Sequence, residues 1–370
     1  MGFEKRSISF ARFCISETKT PFAMDLIRNL LLKYAFVPLD SPEPVKGCVG
    51  CMDITDTTFT FDPVCDPWIL FGIRTDVRSV PGSLIKVKTK EKILENEKKG
   101  IQVSRAMKKE FRDEVELQLK AKALPNPSMK CVAWNFEENE IWYEGTSSKL
   151  QDEFLQFFST VFDVPLESIT PEFLARKWFP EKDNEISNLS TFSLGQNESE
   201  DESLDDCLSK DFMLWLWYQS VHDNLHVSDV GGTEFTVSVD SSITLANNNG
   251  NVSLFSEAED ENFVELKNGL QEYNRTVSKV SLLYTDEHDN VWKAKLSLGS
   301  ITPTGIKKPK IAPSIENVEN DEAKLLIELD LAKSIISITD ALYKNFLSLR
   351  LDSNNWNSFT KQVFSWIAEN

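Results

Sequence analysis

The residues best suited to chemistry in this chain are cations, and they are gathered in one stretch. Between Pro81 and Lys130 stand Lys86, Lys88, Lys90, Lys92, Lys98, Lys99, Arg105, Lys108, Lys109, Arg112, Lys120, Lys122 and Lys130. Seven anions oppose these thirteen cations, so the stretch carries +6 in a chain whose formal net charge is −18. A basic island on an acidic body is a candidate site for a polyanion. Arg105, Lys108, Lys109 and Arg112 recur at i, i+3, i+4 and i+7, the spacing of one helix face. The plainer alternative is a solvated helical hairpin whose charges are taken up in i,i+4 pairs.

Other reactive residue types offer less. Cys48-Val49-Gly50-Cys51 has the spacing of half a zinc site or of a redox pair, but no second C-x-x-C follows and the chain holds only 3 His. Incidental loop thiols are expected there, and no metal. His222 and His226 share an i,i+4 spacing far from that pair, and His288 falls in a turn-like stretch. The chain has no G-x-x-x-x-G-K-[ST] loop, no G-x-G-x-x-G after a strand and no G-x-S-x-G elbow. Carboxylates are plentiful, so composition leaves a two-metal nuclease open. No compact Asp/Glu/Lys constellation falls on adjoining strand positions, however. The expectation is a protein that is not an enzyme and uses no cofactor.

Composition sets the frame for these residues. A chain of 370 residues predicts two or three domains, and 24 Phe with 9 Trp are ample for real cores. A pI near 4.8 argues against binding nucleic acid or anionic membrane over the whole surface, so any such binding must be focused. The most apolar run, Phe212 to Tyr218, is far shorter than the roughly 18–20 residues of a membrane span. The first residues show no secretory h-region. A cytoplasmic protein with reduced cysteines and no membrane partner is expected.

The elements that must position the cations follow from periodicity. Ser7 to Cys14 reads as a strand, Thr20-Pro21 as a helix start with Leu26, Ile27, Leu30 and Leu31 inward, residues 37–66 as a loop, and Trp68 to Thr75 as a buried strand. Two helices then form a protruding basic hairpin over residues 81–124. Ser83 is the expected cap of the first, which ends at Gly100. Ser104 caps the second, with Met107, Phe111, Val115 and Leu119 as a narrow apolar seam. Lys130–Phe136 and Glu140–Glu144 read as strands, and a helix follows Ser147. Residues 1–80 with 125–180 are expected to make one α+β domain of mixed or antiparallel sheet with packed helices. Residues 181–210, with nine acids against Lys182 and Lys210, read as a disordered insertion. Residues 211–315 predict a second, strand-rich α+β domain, with a helix from about Glu257 to Tyr273, a hairpin around Glu287–Asn290, and a small basic turn at Lys307, Lys308 and Lys310. Residues 316–370 predict two closing helices.

The order of these pieces resembles the recombination-associated RdgC family of bacteria. The likeness begins with the first strand, the first helix and Ala35-Phe36-Val37-Pro38-Leu39, and is strongest from Lys90-Glu91-Lys92-Ile93-Leu94-Glu95 through Met107 to Val115. It continues through Val132-Ala133-Trp134 and Thr146 to Lys149, then returns more weakly at Phe263 to Gly269, Val280 to Tyr284 and Leu329 to Ala332. The resemblance implies an RdgC-like fold and a homodimer closed into a ring around double-stranded DNA, bound with little sequence preference. It also implies functional interplay with RecA, whose recombination the family restrains, and residence in the nucleoid. Two stretches depart from the family's pattern. Leu119-Lys120-Ala121-Lys122-Ala123 lacks the aromatic the family uses near its dimer contact, and Asn251 to Ser256 lacks a cation. The residues expected to contact phosphates are Lys86, Lys90, Arg105, Lys108, Lys109, Arg112, Lys120 and Lys122. The rival expectations are a metal-dependent exonuclease and a protein-interaction scaffold that docks an acidic partner without DNA.

Overall fold

A computed structural model describes residues 7–15, 23–190, 203–222, 225–229, 231–247, 250–255, 266–270, 275–309 and 321–368. The chain divides into two compact units: Ile15–Tyr143 with Ser148–Leu166, and Gly2–Cys14 with Glu144–Ser147 and Glu167–Asn370. Both are α+β, as expected. Among the described residues, no helix is long and apolar enough to cross a membrane.

The first unit is built on antiparallel strands β3 (Val45–Val49), β5 (Trp68–Val77), β6 (Asn126–Asn135) and β7 (Glu140–Tyr143), in that order, with β4 (Val64–Cys65) beside the start of β5. Most of β5 and the second half of β6, from Cys131, are buried runs, which suits strands covered on both faces. Helices α1 (Met24–Lys33) and α4 (Ser148–Phe162) complete the core. On α4, Phe154, Phe158 and Phe162 repeat every four residues. Trp134 meets the rings of Phe158 and Phe162 at 5.7 and 5.5 Å, and Tyr143 stacks on Phe154 at 4.2 Å. Gly47 is required on β3 because a Cβ there would lie 2.3 Å from Phe36 Cα.

The second unit holds a sheet in the order β1 (Ser7–Ile8), β14 (Thr304–Lys307), β13 (Val291–Ser297), β12 (Thr276–Asp286), β10 (Glu234–Asn247) and β11 (Gly250–Phe255), with β9 (His226–Ser228) also on β10. Strand β2 (Ala11–Ile15) is followed much later by β8 (Leu166–Ser168), and the Ile169 N–H donates to the Arg12 carbonyl at 2.9 Å. The helices are α5 (Pro171–Trp178), a 3-10 turn (Pro180–Lys182), α6 (Asp183–Ser187), α7 (Leu204–Val221), α8 (Asp321–Arg350) and α9 (Ser353–Ala368). α7 is buried nearly all round, so its aromatic run is core. Polar ties are long-range: Arg12 on β2 makes a two-pronged contact with Asp340 on α8 at 2.8 and 2.7 Å, and Tyr284 on β12 shares a hydrogen bond with Thr339 at 2.9 Å.

Several expectations change. The loop read over 37–66 contains β3 and β4. β3 is short, and only Cys48 and Val49 are fully buried on it besides Gly47, too brief a run to show alternation. The strand read from Ser7 is two pieces, β1 and β2. Ser83 does not cap the first hairpin helix: Pro81 does, without a side-chain bond, and the helix starts at Gly82. The acidic segment 181–210 is not without structure. It contributes the 3-10 turn and α6 at its start, and at its end Ser203 caps α7, its hydroxyl accepting from the Asp206 N–H at 3.1 Å. Its Ser and Asp residues are a helix N-terminus, where anions are favourable. Residues 191–202 lie outside the described residues, as does most of the helix expected over 257–273, of which 266–270 are helical.

Candidate nucleic-acid interface

The basic hairpin grows out of the first unit's sheet. β5 ends at Val77 directly opposite Asn126, the first residue of β6, and between them run α2 (Gly82–Lys98) and α3 (Arg105–Lys122). Arg78 fixes the foot: one guanidinium nitrogen donates to the Ala121 carbonyl at 2.8 Å and another pairs with Asp40 at 2.7 Å. At the tip, Gly100 takes a φ of +79°, the left-handed conformation that ends α2. The Ser104 hydroxyl then accepts from the Met107 N–H at 3.3 Å to start α3. This two-helix arm is closed by a thin seam in which Ile85 and Val115 are buried, while Ile93, Met107, Phe111 and Leu119 are half-buried.

The helical period sorts the charges of the arm. Measured around each helix from its seam, at about 100° per residue, Lys86 and Lys90 lie to one side on α2. Arg105, Lys108 and Arg112 lie to the matching side on antiparallel α3, with Lys109 on its outer edge. The opposite side carries Glu91 and Glu95 on α2 and Glu110 and Glu114 on α3, while Glu97 on α2 and Glu116 on α3 fall among the cations and leave that side with the larger share of positive charge. The ion pair between Lys92 and Glu114 joins the two helices across that second side, as the sorting requires. One side of the arm is thus richer in cations, and on the other two of them are taken up: Lys88 pairs with Glu91 at 2.7 Å, and Lys92 pairs with Glu114 and lies 5.0 Å over the Phe111 ring.

Of the eight residues expected to meet phosphates, Lys86, Lys90, Arg105, Lys108, Lys109 and Lys122 are exposed and form no ion pair among the described residues. Arg112 is exposed beside Glu116. Lys120 pairs with Glu116 at 2.9 Å and is half-buried, so its charge is partly answered within the helix. Lys120 chiefly, with Arg112 adding to it, holds the Glu116 carboxyl below the usual carboxylate range. The i,i+4 spacing of Glu116 and Lys120 was the available sign. Lys122 stands at the foot, apart from the other cations along α3.

Among the described residues, no group of three or more His, Cys, Asp or Glu is placed to hold a metal ion. Cys48 and Cys51 are separate buried thiols, Cys48 on β3 rather than in a loop. Burial pushes the Cys48 thiol up to about 12. A thiol reagent at pH 8 should therefore label the partly exposed Cys65 first and reach Cys48 only as fast as the first unit opens. Fast labelling of Cys48 in the folded protein, read by mass spectrometry, would contradict its placement.

Set beside known proteins, residues 17–177 match the family model described as "Putative exonuclease, RdgC". No curated protein matches the chain. The match spans the arm and nearly all of the first unit, and over these residues the chain is similar to the RdgC family.

Proposed function

We propose that the protein binds double-stranded DNA without sequence preference through the cationic side of the α2–α3 arm, as a ring-shaped homodimer, and so restrains RecA-dependent recombination. The observation that carries this reading is the segregation of charge on the arm. Five cations share one side and form no ion pair among the described residues, while on the other side Lys88 and Lys92 are paired with Glu91 and Glu114. Lysine and arginine on a stiff two-helix arm suit phosphate binding, and nothing about such binding depends on base order. Focusing the cations on one arm also reconciles a net charge of −18 with a polyanionic ligand. In this reading the protein acts by occupancy, in the nucleoid, and cuts nothing. The family description's exonuclease is the second reading.

The test is a titration of a fluorescent 30-base-pair duplex at several salt concentrations, with mass by light scattering. A dimer that binds unrelated duplexes equally, with a steep negative slope of log K against log salt, is the expected result. Mg²⁺-dependent loss of labelled ends would move the exonuclease reading to first place. Absence of any complex at low salt would defeat the DNA reading.

A further inference from the structure

The second unit presents another gathering of lysines, on a sheet rather than a helix. The register sets which side chains share a face: Leu283 stands opposite Lys293, Lys293 opposite Lys307, Ser281 opposite Lys295, Lys295 opposite Thr304, and Lys279 opposite Ser297. The intervening rows, such as Val237–Tyr284–Trp292 and Leu282–Ala294, are buried. Lys279, Lys293, Lys295 and Lys307 therefore point from the same outer face, on three adjacent strands. Strands lie about 4.8 Å apart and alternate residues along a strand about 6.7 Å apart, so Lys293 stands within a Debye length of both Lys295 and Lys307. Like charges directly opposite weaken a sheet, and Lys293 faces Lys307. Of the anions, Asp240 on β10 is bonded to Lys293, and Glu234 stands at the first residue of β10, opposite Ser228. Lys279, Lys295 and Lys307 are exposed and pair with no carboxylate among the described residues.

We propose that this outer face of the sheet is a second phosphate-binding surface for double-stranded nucleic acid, in addition to the arm. The hydroxyls beside the lysines are those of Ser297 and Thr304, both half-buried and of the kind that accompany lysine at phosphates, while Ser281 is itself buried. Among the described residues, no aromatic side chain lies on the rows of β12, β13 and β14 that carry the lysines, so these rows offer unpaired bases no stacking platform. The one aromatic of β13, Trp292, points into the core. A pleated face of point charges and hydroxyls can follow a duplex backbone and reads no sequence. The proposal rests on the reading of the chain as a duplex binder, and the experiment separates the two.

Three variants of the full chain are compared with the wild type on the same 30-base-pair duplex: K279Q/K295Q/K307Q on the sheet, the arm variant R105Q/K108Q/K109Q/R112Q, and K33Q/K149Q/K361Q as a control of equal charge change. All three positions of the sheet variant face solvent, and unchanged circular dichroism would confirm its fold. The expected result is a salt slope reduced in magnitude by about 2.7 for the sheet variant, roughly 0.9 per phosphate, with the control slope unmoved. A sheet variant indistinguishable from the control overturns the inference. If the arm variant's slope still falls in that case, the proposed function stands without the sheet. A wild type that binds no duplex at any salt ends both. A sheet variant that loses adhesion to phosphatidylserine vesicles while keeping its duplex slope also overturns the inference, in favour of a membrane surface.

Discussion

Replacing Arg105, Lys108, Lys109 and Arg112 together by Gln is expected to reduce the salt slope of duplex binding by up to about 3.6 in magnitude, roughly 0.9 for each phosphate that is no longer neutralised. The wild-type advantage should then be about 150-fold larger at 50 mM salt than at 200 mM, because counterion release is what the substitutions remove. The four residues sit on one stretch of α3, all exposed, and form no ion pair among the described residues. Arg112 lies beside Glu116, so it should contribute least of the four. The seam of Met107, Phe111, Val115 and Leu119 is untouched, and the arm should stay folded. Lys120→Gln serves as the internal comparison: its ammonium already answers Glu116, and its slope should stay near that of the wild type. Equal slopes for the fourfold variant and the wild type would remove the arm from the binding site.

The face that carries this prediction was legible because helix geometry is local. The i, i+3, i+4 and i+7 spacing of Arg105 to Arg112 needs no tertiary information, and neither do Ser104 as a cap or Gly100 as a stop. What spacing could not give was the partner across the seam. Lys92 looks like any other lysine of the basic run until α3 brings Glu114 and Phe111 to it. The strands of the first unit divide in the same way. β5 and the second half of β6 declare themselves as buried runs, while β3 is five residues whose pairing depends on distant partners such as Gly72 to Asp76. The acidic stretch misled because Ser and Asp residues favour both solvated chain and helix N-termini. Only the burial of Cys207, Leu208 and the aromatic run that follows on α7 decides for the helix. The lysine face of the second sheet was hidden for a further reason. Lys279, Lys295 and Lys307 lie on three strands, and only the register shows them as neighbours.

The largest expected loss of stability lies in the second unit, at Arg350→Met. Arg350 ends α8 with its side chain 8% exposed, and its Nε donates to the Asp211 carboxylate on α7 at 2.8 Å, where Asp211 is only 1% exposed. A second guanidinium nitrogen donates to the Ser190 carbonyl at 2.7 Å, and the group lies 4.5 Å over the Trp356 ring of α9. One side chain thus ties α7, α9 and the end of the α6 segment to α8. Methionine keeps most of the stem's volume but removes the guanidinium that faces the buried Asp211 carboxylate. Removing one partner of a buried pair costs about 3–5 kcal/mol, much of it the desolvation of the charge that stays behind. Because that penalty belongs to the remaining carboxylate rather than to the bond, Asp211→Leu added to Arg350→Met should recover part of the loss. Chemical denaturation of the single and double variants measures both steps. A single-variant loss below about 1 kcal/mol, well under the cost of a stranded buried charge, or a double variant no better than the single, would show that the pair is not what holds these helices together. Neither residue lies on the arm or on the lysine-bearing strands of the second unit, so the duplex salt slope of Arg350→Met at 25 °C should match the wild type. A fall in slope would instead mean that loss of the pair disturbs one of those two surfaces.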